Sequence, residues 1–206
     1  MVDSSNKGVM KFNTQEDAIF FTPIWMADIE GVNNTSLKEY TYSLREKSPG
    51  TIISNRGGWH SSETPQPYPQ SLVDLFGNIE NFANTHCNEI TNINDLVIGN
   101  WWININGKGN YNQIHDHQNS ILSAVYYVDV PAENTGNLVV HRDDTAEYFL
   151  KKHRNKSPFS ELSRQLVPAT SRMYVMPSWT KHSVEQNQSD RERISIAINL
   201  ISKKEL

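Results

Sequence analysis

The period of the hydrophobic pattern changes near Val97, and that change limits the fold more than any other feature of the chain. From there on, apolar and polar residues alternate in Trp101–Asn106 (WWININ), Ile121–Val130 (ILSAVYYVDV), Gly136–His141 (GNLVVH), Ser171–Met176 and Arg193–Ile201 (RISIAINLI). Successive side chains of a strand point to opposite faces, so each run reads as a strand with one face on a core. Pro131, Gly136 and Pro177 punctuate the runs as turn residues do. Several short strands in series predict an antiparallel sandwich or jelly roll. The charged, irregular segment 143–168 interrupts them and reads as a long loop or lid.

The first half has a different period. Thr35–Lys47 places Leu37, Tyr40 and Leu44 on one helix face, and Gln70–Ile93 repeats Leu72, Leu75, Phe76, Ile79, Phe82 and Ala83 at intervals of three and four. Ala18–Trp25 (AIFFTPIW) reads as a strand that Pro23 confines to a sheet edge, and Ser54–Trp59 (SNRGGW) as a glycine turn. The 206 residues suit a single domain: N-terminal strands and buttressing helices over 1–95, packed on one sheet of a mainly β core over 96–202.

Composition removes several function classes. A net charge of −4 supplies no basic field for general nucleic-acid binding. The lone Cys87 excludes a disulfide framework and a cysteine zinc site within the chain. No run reaches the ~18 apolar residues of a membrane span, and MVDSSNKGVMKFN lacks the apolar stretch of a secretion signal, so a cytoplasmic protein is expected. GxSxG, P-loop and GxGxxG motifs are all missing from the sequence.

The residues that carry chemistry are histidines. In an extended segment, residues two apart project to one side, so His115 and His117 can converge on one ion. A bare His-x-His is commonly no more than two solvent-facing imidazoles, and a third ligand must come from another strand. His182, after the turn MPSWTK, is the natural candidate; three neutral imidazoles suit iron, zinc, copper or nickel. Arg193 and Ser195 share a strand face eleven residues later and make a carboxylate-binding pair. Asn104 and Asn106 share another face, lining a pocket or facing solvent. His141 is expected in a loop or at a pocket rim, His60 either facing the site or carried by a glycine turn that simply packs against the barrel, His86 and His153 in solvent, and Cys87 half-buried on a helix.

The spacing fits part of the cupin metal motif: five residues separate Gly109 from His115-x-His117, and Pro177 lies five positions before His182. The cupin glutamate is absent, with Ile121 and Leu122 in its place, and Trp179 replaces a glycine. A broader match is carried by SNRGGWHS at 54–61, WWININGKGNYNQIHDH at 101–117, LSAVYYV at 122–128, PSWTKHSVEQN at 177–187 and RISIAIN at 193–199. In these segments the chain resembles the iron- and 2-oxoglutarate-dependent dioxygenases, in particular the small oxygenases of bacteria and phages and the prolyl-hydroxylase branch.

That resemblance implies a double-stranded β-helix (jelly roll) holding Fe(II), with 2-oxoglutarate as cosubstrate. It makes His115 and His182 iron ligands and places Arg193 and Ser195 on the distal carboxylate of 2-oxoglutarate, with a hydrogen bond from Tyr127. The position most relatives fill with a carboxylate is His117 here, so either three histidines hold the metal or a local distortion recruits Asp116; the three-histidine set is the expectation. The implied reaction hydroxylates a small-molecule or peptide substrate and releases succinate and CO2. The alternatives are a cupin-like metal dioxygenase or isomerase that ignores 2-oxoglutarate, and a non-catalytic jelly-roll binding module. A homodimer fits the sequence as well as a monomer does.

Overall fold

The computed structural model describes residue 15 and residues 18–62, 64–150 and 157–205. The first strand, β1 (Trp25–Asp28), leads into α1 (Asn34–Lys47), then β2 (Asn55–Arg56) and β3 (Trp59–His60). Next come α2 (Gln70–Phe82), a π turn (Ala83–Cys87) and α3 (Asn88–Thr91). The strand-rich half holds β4 (Leu96–Asn106), β5 (Tyr111–His115), β6 (Leu122–Asp129) and β7 (Leu138–His141). After α4 (Ala146–Leu150) follow β8 (Ser163–Leu166), β9 (Arg172–Pro177), β10 (His182–Val184) and β11 (Arg193–Ser202). One sheet is ordered β1-β9-β6-β11-β4-β3 and the other β2-β5-β10-β7-β8. Every pairing is antiparallel. This is the jelly roll that the alternating runs predict.

Both faces of the six-stranded sheet are covered, which explains its alternation. On β11, Ile194, Ile196 and Ile198 join Leu37, Leu72, Leu75 and Ile79 of α1 and α2 in one core cluster. The intervening Arg193, Ser195 and Ala197 turn the other way and line a cavity between the sheets. The same alternation on β6 sends Tyr126 and Val128 toward the helices and Tyr127 to the interior. Burying each large apolar side chain contributes about 1.5–3 kcal/mol, so the helices fix which face of the sheet looks inward.

Local differences from the sequence reading have physical causes. The first strand begins at Trp25 rather than Ala18, beyond Pro23, whose missing N–H cannot join a ladder; it does lie at a sheet edge. Helix α1 is capped by Asn33, whose side-chain oxygen accepts from the Ser36 N–H at 3.1 Å, so the helix starts one residue earlier than Thr35. The 70–93 helix is broken by the π turn and stops at Asn92, which adopts a left-handed φ of 56°. The expected loop over 143–168 contains α4 and β8, and the Lys181–Asp143 ion pair ties its start to the turn before His182. His153 lies outside the described residues. Among the described residues no helix is long and apolar enough to cross a membrane.

Candidate metal centre

Three strands and a loop bring the histidines together. His182 opens β10, which is sandwiched between β5 and β7, with His182 opposite both His115 and Val140. Along this ladder two steps of β10, from His182 to Val184, match three steps of β5, from His115 to Asn112. The bulge lets Asn112 and His115 both line the cavity, although strict alternation would put one of them outside. His117 lies just past the end of β5, and its N–H donates to the Ser178 carbonyl at 2.9 Å. The two imidazoles therefore converge, but across a strand end rather than along a strand.

One ligand-type nitrogen from each of His115, His117 and His182 lies within 4.8 Å of the other two, and this cluster leaves out Asp116. Ring centroids are 4.3 Å apart for His115 and His182, 5.0 Å for His117 and His182, and 5.1 Å for His115 and His117. The Nδ1 of His115 meets the Gln113 carbonyl at 2.7 Å, and that of His182 meets the Thr180 carbonyl at 2.8 Å. A carbonyl only accepts, so both Nδ1 atoms carry the proton and both Nε2 atoms keep a lone pair. The Nε2 atoms of His117 and His182 face each other at 3.3 Å. Convergent neutral nitrogens fit a borderline transition-metal cation and not a hard cation that prefers oxygen.

Burial keeps the cluster neutral. It lowers the His117 imidazole to about 3, helped by the neighbouring His182 and His115, and the His182 imidazole to about 4, helped by His115. His115 is lowered for the same reason, against the opposing pull of the Gln113 carbonyl and Asp116. An unfolded chain takes up protons on these residues near pH 6.5, whereas the folded site resists until about pH 4. Metal-free protein should therefore lose stability as pH falls from 6.5 toward 4, by up to about 1.4 kcal/mol per pH unit per histidine. Thermal melts in chelator across that range test this: the wild-type Tm should fall more steeply than that of His117→Phe, and parallel slopes would refute it.

The second half of the cavity is built around a buried arginine. Arg193 is 1% exposed, and its Nη1 donates to the carbonyls of Thr135 at 2.6 Å and Gly136 at 3.0 Å. Gly136 has a φ of 74°, and a Cβ there would stand 2.6 Å from the Glu185 carbonyl, so only glycine permits this turn. The other nitrogen, Nη2, is buried with no hydrogen-bond partner among the described residues. An unpaired buried guanidinium nitrogen costs free energy until an anion reaches it. Ser195 lies opposite Tyr127 and Asn104, and all three line the cavity beside Arg193. Burial pushes the Tyr127 phenol up to about 12, against the lowering effect of Arg193, so it remains a donor.

All six singled-out residues, His115, His117, His182, Tyr127, Arg193 and Ser195, thus line one cavity. Asn104 and Asn106 line it too, facing the cavity and not solvent. His141 ends β7 and bonds Ser183 at 2.8 Å, outside the cluster. His86 is exposed as expected, whereas Cys87 is fully buried. The sequence reading missed the backbone anchors of Arg193, which belong to a distant turn, and the stack of His60 on Trp102.

Residues 100–199 match the family model described as "Putative 2OG-Fe(II) oxygenase". No curated protein matches the chain in sequence. Among solved structures, the viral collagen prolyl hydroxylase of Paramecium bursaria Chlorella virus-1 in its 2OG complex is similar over 86% of this chain and 94% of its own, with a TM-score of 0.56 and 13% identity. A Pseudomonas putida prolyl-4-hydroxylase aligns over 87% and 92%, at TM-score 0.58 and 12% identity. The Trichoplax adhaerens prolyl hydroxylase, in complex with a hypoxia-inducible-factor peptide, aligns over 88% and 84%, at 0.60 and 14%. At such identities these structures establish the shared jelly-roll fold. The matched segment 100–199, just under half of the chain, contains the whole histidine cluster together with Arg193, Ser195 and Tyr127, and in that segment the chain is similar to the family of 2OG-Fe(II) oxygenases.

Proposed function

We propose that His115, His117 and His182 hold Fe(II), that Arg193, Ser195 and Tyr127 hold 2-oxoglutarate, and that the protein hydroxylates a peptide or small-molecule substrate. The observation that carries this reading is the unpaired Nη2 of buried Arg193, which lines the same cavity as three neutral imidazoles. When bound, iron with 2-oxoglutarate and dioxygen supplies the oxidising chemistry, decarboxylating the cosubstrate to succinate and CO2 as the substrate is hydroxylated.

The chain supplies orientation. The Gln113 and Thr180 carbonyls fix two imidazole tautomers, so the lone pairs point inward before any ligand arrives. The Thr135 and Gly136 carbonyls occupy one guanidinium nitrogen and leave the other for a carboxylate oxygen. Tyr127 stays protonated at neutral pH and donates its hydroxyl hydrogen to the same carboxylate, while Ser195 adds a second hydroxyl. Enclosure between two sheets keeps water from competing for these donors.

Fe(II), then 2-oxoglutarate, added anaerobically to metal-free protein should produce a weak visible charge-transfer band. Admitting air should then yield succinate, and yield it faster with the right substrate. Iron binding with no spectral response to 2-oxoglutarate, and no succinate, would overturn the reading.

A further inference from the structure

His117 differs from the other two histidines in how it is held. The rings of His115 and His182 are each pinned by an Nδ1–H bond to a carbonyl two residues earlier. Among the described residues His117 makes no such bond; its one side-chain hydrogen-bond contact is with His182. It also sits in a loop beyond β5, where no ladder fixes the backbone on both sides. A metal ligand without an outer partner is a weak point, since the outer partner normally sets ring orientation.

Aromatic ring contacts fill that role. The Trp102 ring lies 5.2 Å from that of His117, tilted by 48°. His60 in turn stacks on Trp102 at 5.7 Å with the planes 12° apart. The arrangement follows from strand register. His60 on β3 lies opposite Asn104 on β4, so Trp102, two residues back on the same face, is its diagonal neighbour. Ala197 is directly opposite Trp102 on β11, a small residue that leaves room for an indole across the sheet. His60 is itself held, 9% exposed, with Nδ1 at 3.0 Å from the Ser61 carbonyl. Ser61 is locked to β4 by two bonds with Ile103. The Gly57–Gly58 turn brings β3 to this place: both glycines have positive φ, and a Cβ on Gly58 would stand 2.5 Å from the Ile105 carbonyl.

We propose that His60 and Trp102 are positioning residues for the metal centre, forming with His117 a row of three contacting rings that orients the one ligand lacking a carbonyl anchor. The inference rests on the reading of His117 as a ligand. It assigns the SNRGGWHS segment a function: to deliver His60 to the Trp102 ring. The flat indole limits the rotation of the His117 ring, and His60 prevents the indole from swinging away.

Co(II), whose visible absorption reports its coordination, is the probe. Trp102→Leu and His60→Leu should each weaken Co(II) binding by about 10–100-fold, the usual cost of losing an outer partner, and change the absorption band. Trp102→Phe and His60→Phe keep a flat ring and should restore most of the affinity, which a merely structural role for these sites would not separate from the leucine variants. The double variant His117→Ala/Trp102→Leu should bind no more weakly than His117→Ala alone, because the stack acts only through that ring. If His115→Ala and His182→Ala bind Co(II) like wild type, the three-histidine reading itself fails. If those two lose Co(II) while both leucine variants bind it normally, or if the double variant is additive, the stack proposal is overturned and the reading stands. Should Trp102→Leu fail to fold, the His60→Leu and His60→Phe pair decides alone.

Discussion

His182→Ala should abolish Fe(II) binding and with it all 2-oxoglutarate turnover, while leaving the fold intact. Of the three imidazoles His182 is the most buried, at 7% exposed, and it stands on a strand paired on both sides. Its Nε2 lies 3.3 Å from that of His117 and its ring centroid 4.3 Å from that of His115, so its loss removes contacts to both other members of the cluster. Loss of an outer partner alone costs about 10–100-fold in metal affinity, and loss of a ligand costs more. The fold is spared because the metal-free cluster is itself unfavourable, three desolvated rings with no cation between them. Alanine gives up one neutral hydrogen bond to Thr180, about 1 kcal/mol. Iron binding by titration and Tm in chelator separate the two effects; a variant that retains stoichiometric iron would rule out His182 as a ligand.

The same residue shows how much of this protein is legible in its sequence. A histidine opening a strand after MPSWTK, with an arginine and a serine on one face eleven residues on, is a local pattern, and the structure brings those side chains to one cavity. The jelly roll was equally readable, because a period of two recorded over many residues survives errors at each end. What remained hidden depends on pairings between distant segments. Polar alternation at Asn104 and Asn106 reads equally as a solvent face or a pocket, and only the coverage of the opposite face by α1 and α2 decides it. The bulge that turns His115 inward exists between β5 and β10 and has no signature in β5 alone. His60 gains its meaning from a register with Asn104, forty-odd residues away. At Ala18–Trp25 the apolar run was strong, yet Pro23 cut the ladder short, a case where one missing N–H outweighs several favourable side chains.

Arg193 provides the second large effect, on the cosubstrate and not on the metal. Arg193→Lys keeps the charge but not the fork. A lysine ammonium reaching the Thr135 and Gly136 carbonyls would spend its donors there, whereas the guanidinium satisfies both with Nη1 and keeps Nη2 free. Each charge-assisted bond lost costs about 1.5–3 kcal/mol, so the KM for 2-oxoglutarate should rise by roughly 10–100-fold, at about 1.4 kcal/mol per decade. Arg193→Ala should go further, since it removes the charge and takes the guanidinium partner from two part-buried carbonyls as well. Iron affinity should stay near wild type in the lysine variant, because no histidine of the cluster bonds the guanidinium. The alanine variant will also melt lower, so the lysine variant carries the interpretation. Equal KM values for wild type and Arg193→Lys would place the cosubstrate carboxylate elsewhere in the cavity, and the unpaired nitrogen would then need another anion to account for it. A raised KM together with lost iron would instead mean that the substitution disturbs β11 as a whole, which the Tm would show directly. Only a raised KM with iron retained assigns Arg193 the recognition of the carboxylate, and with it the feature that separates this centre from a three-histidine site that ignores 2-oxoglutarate.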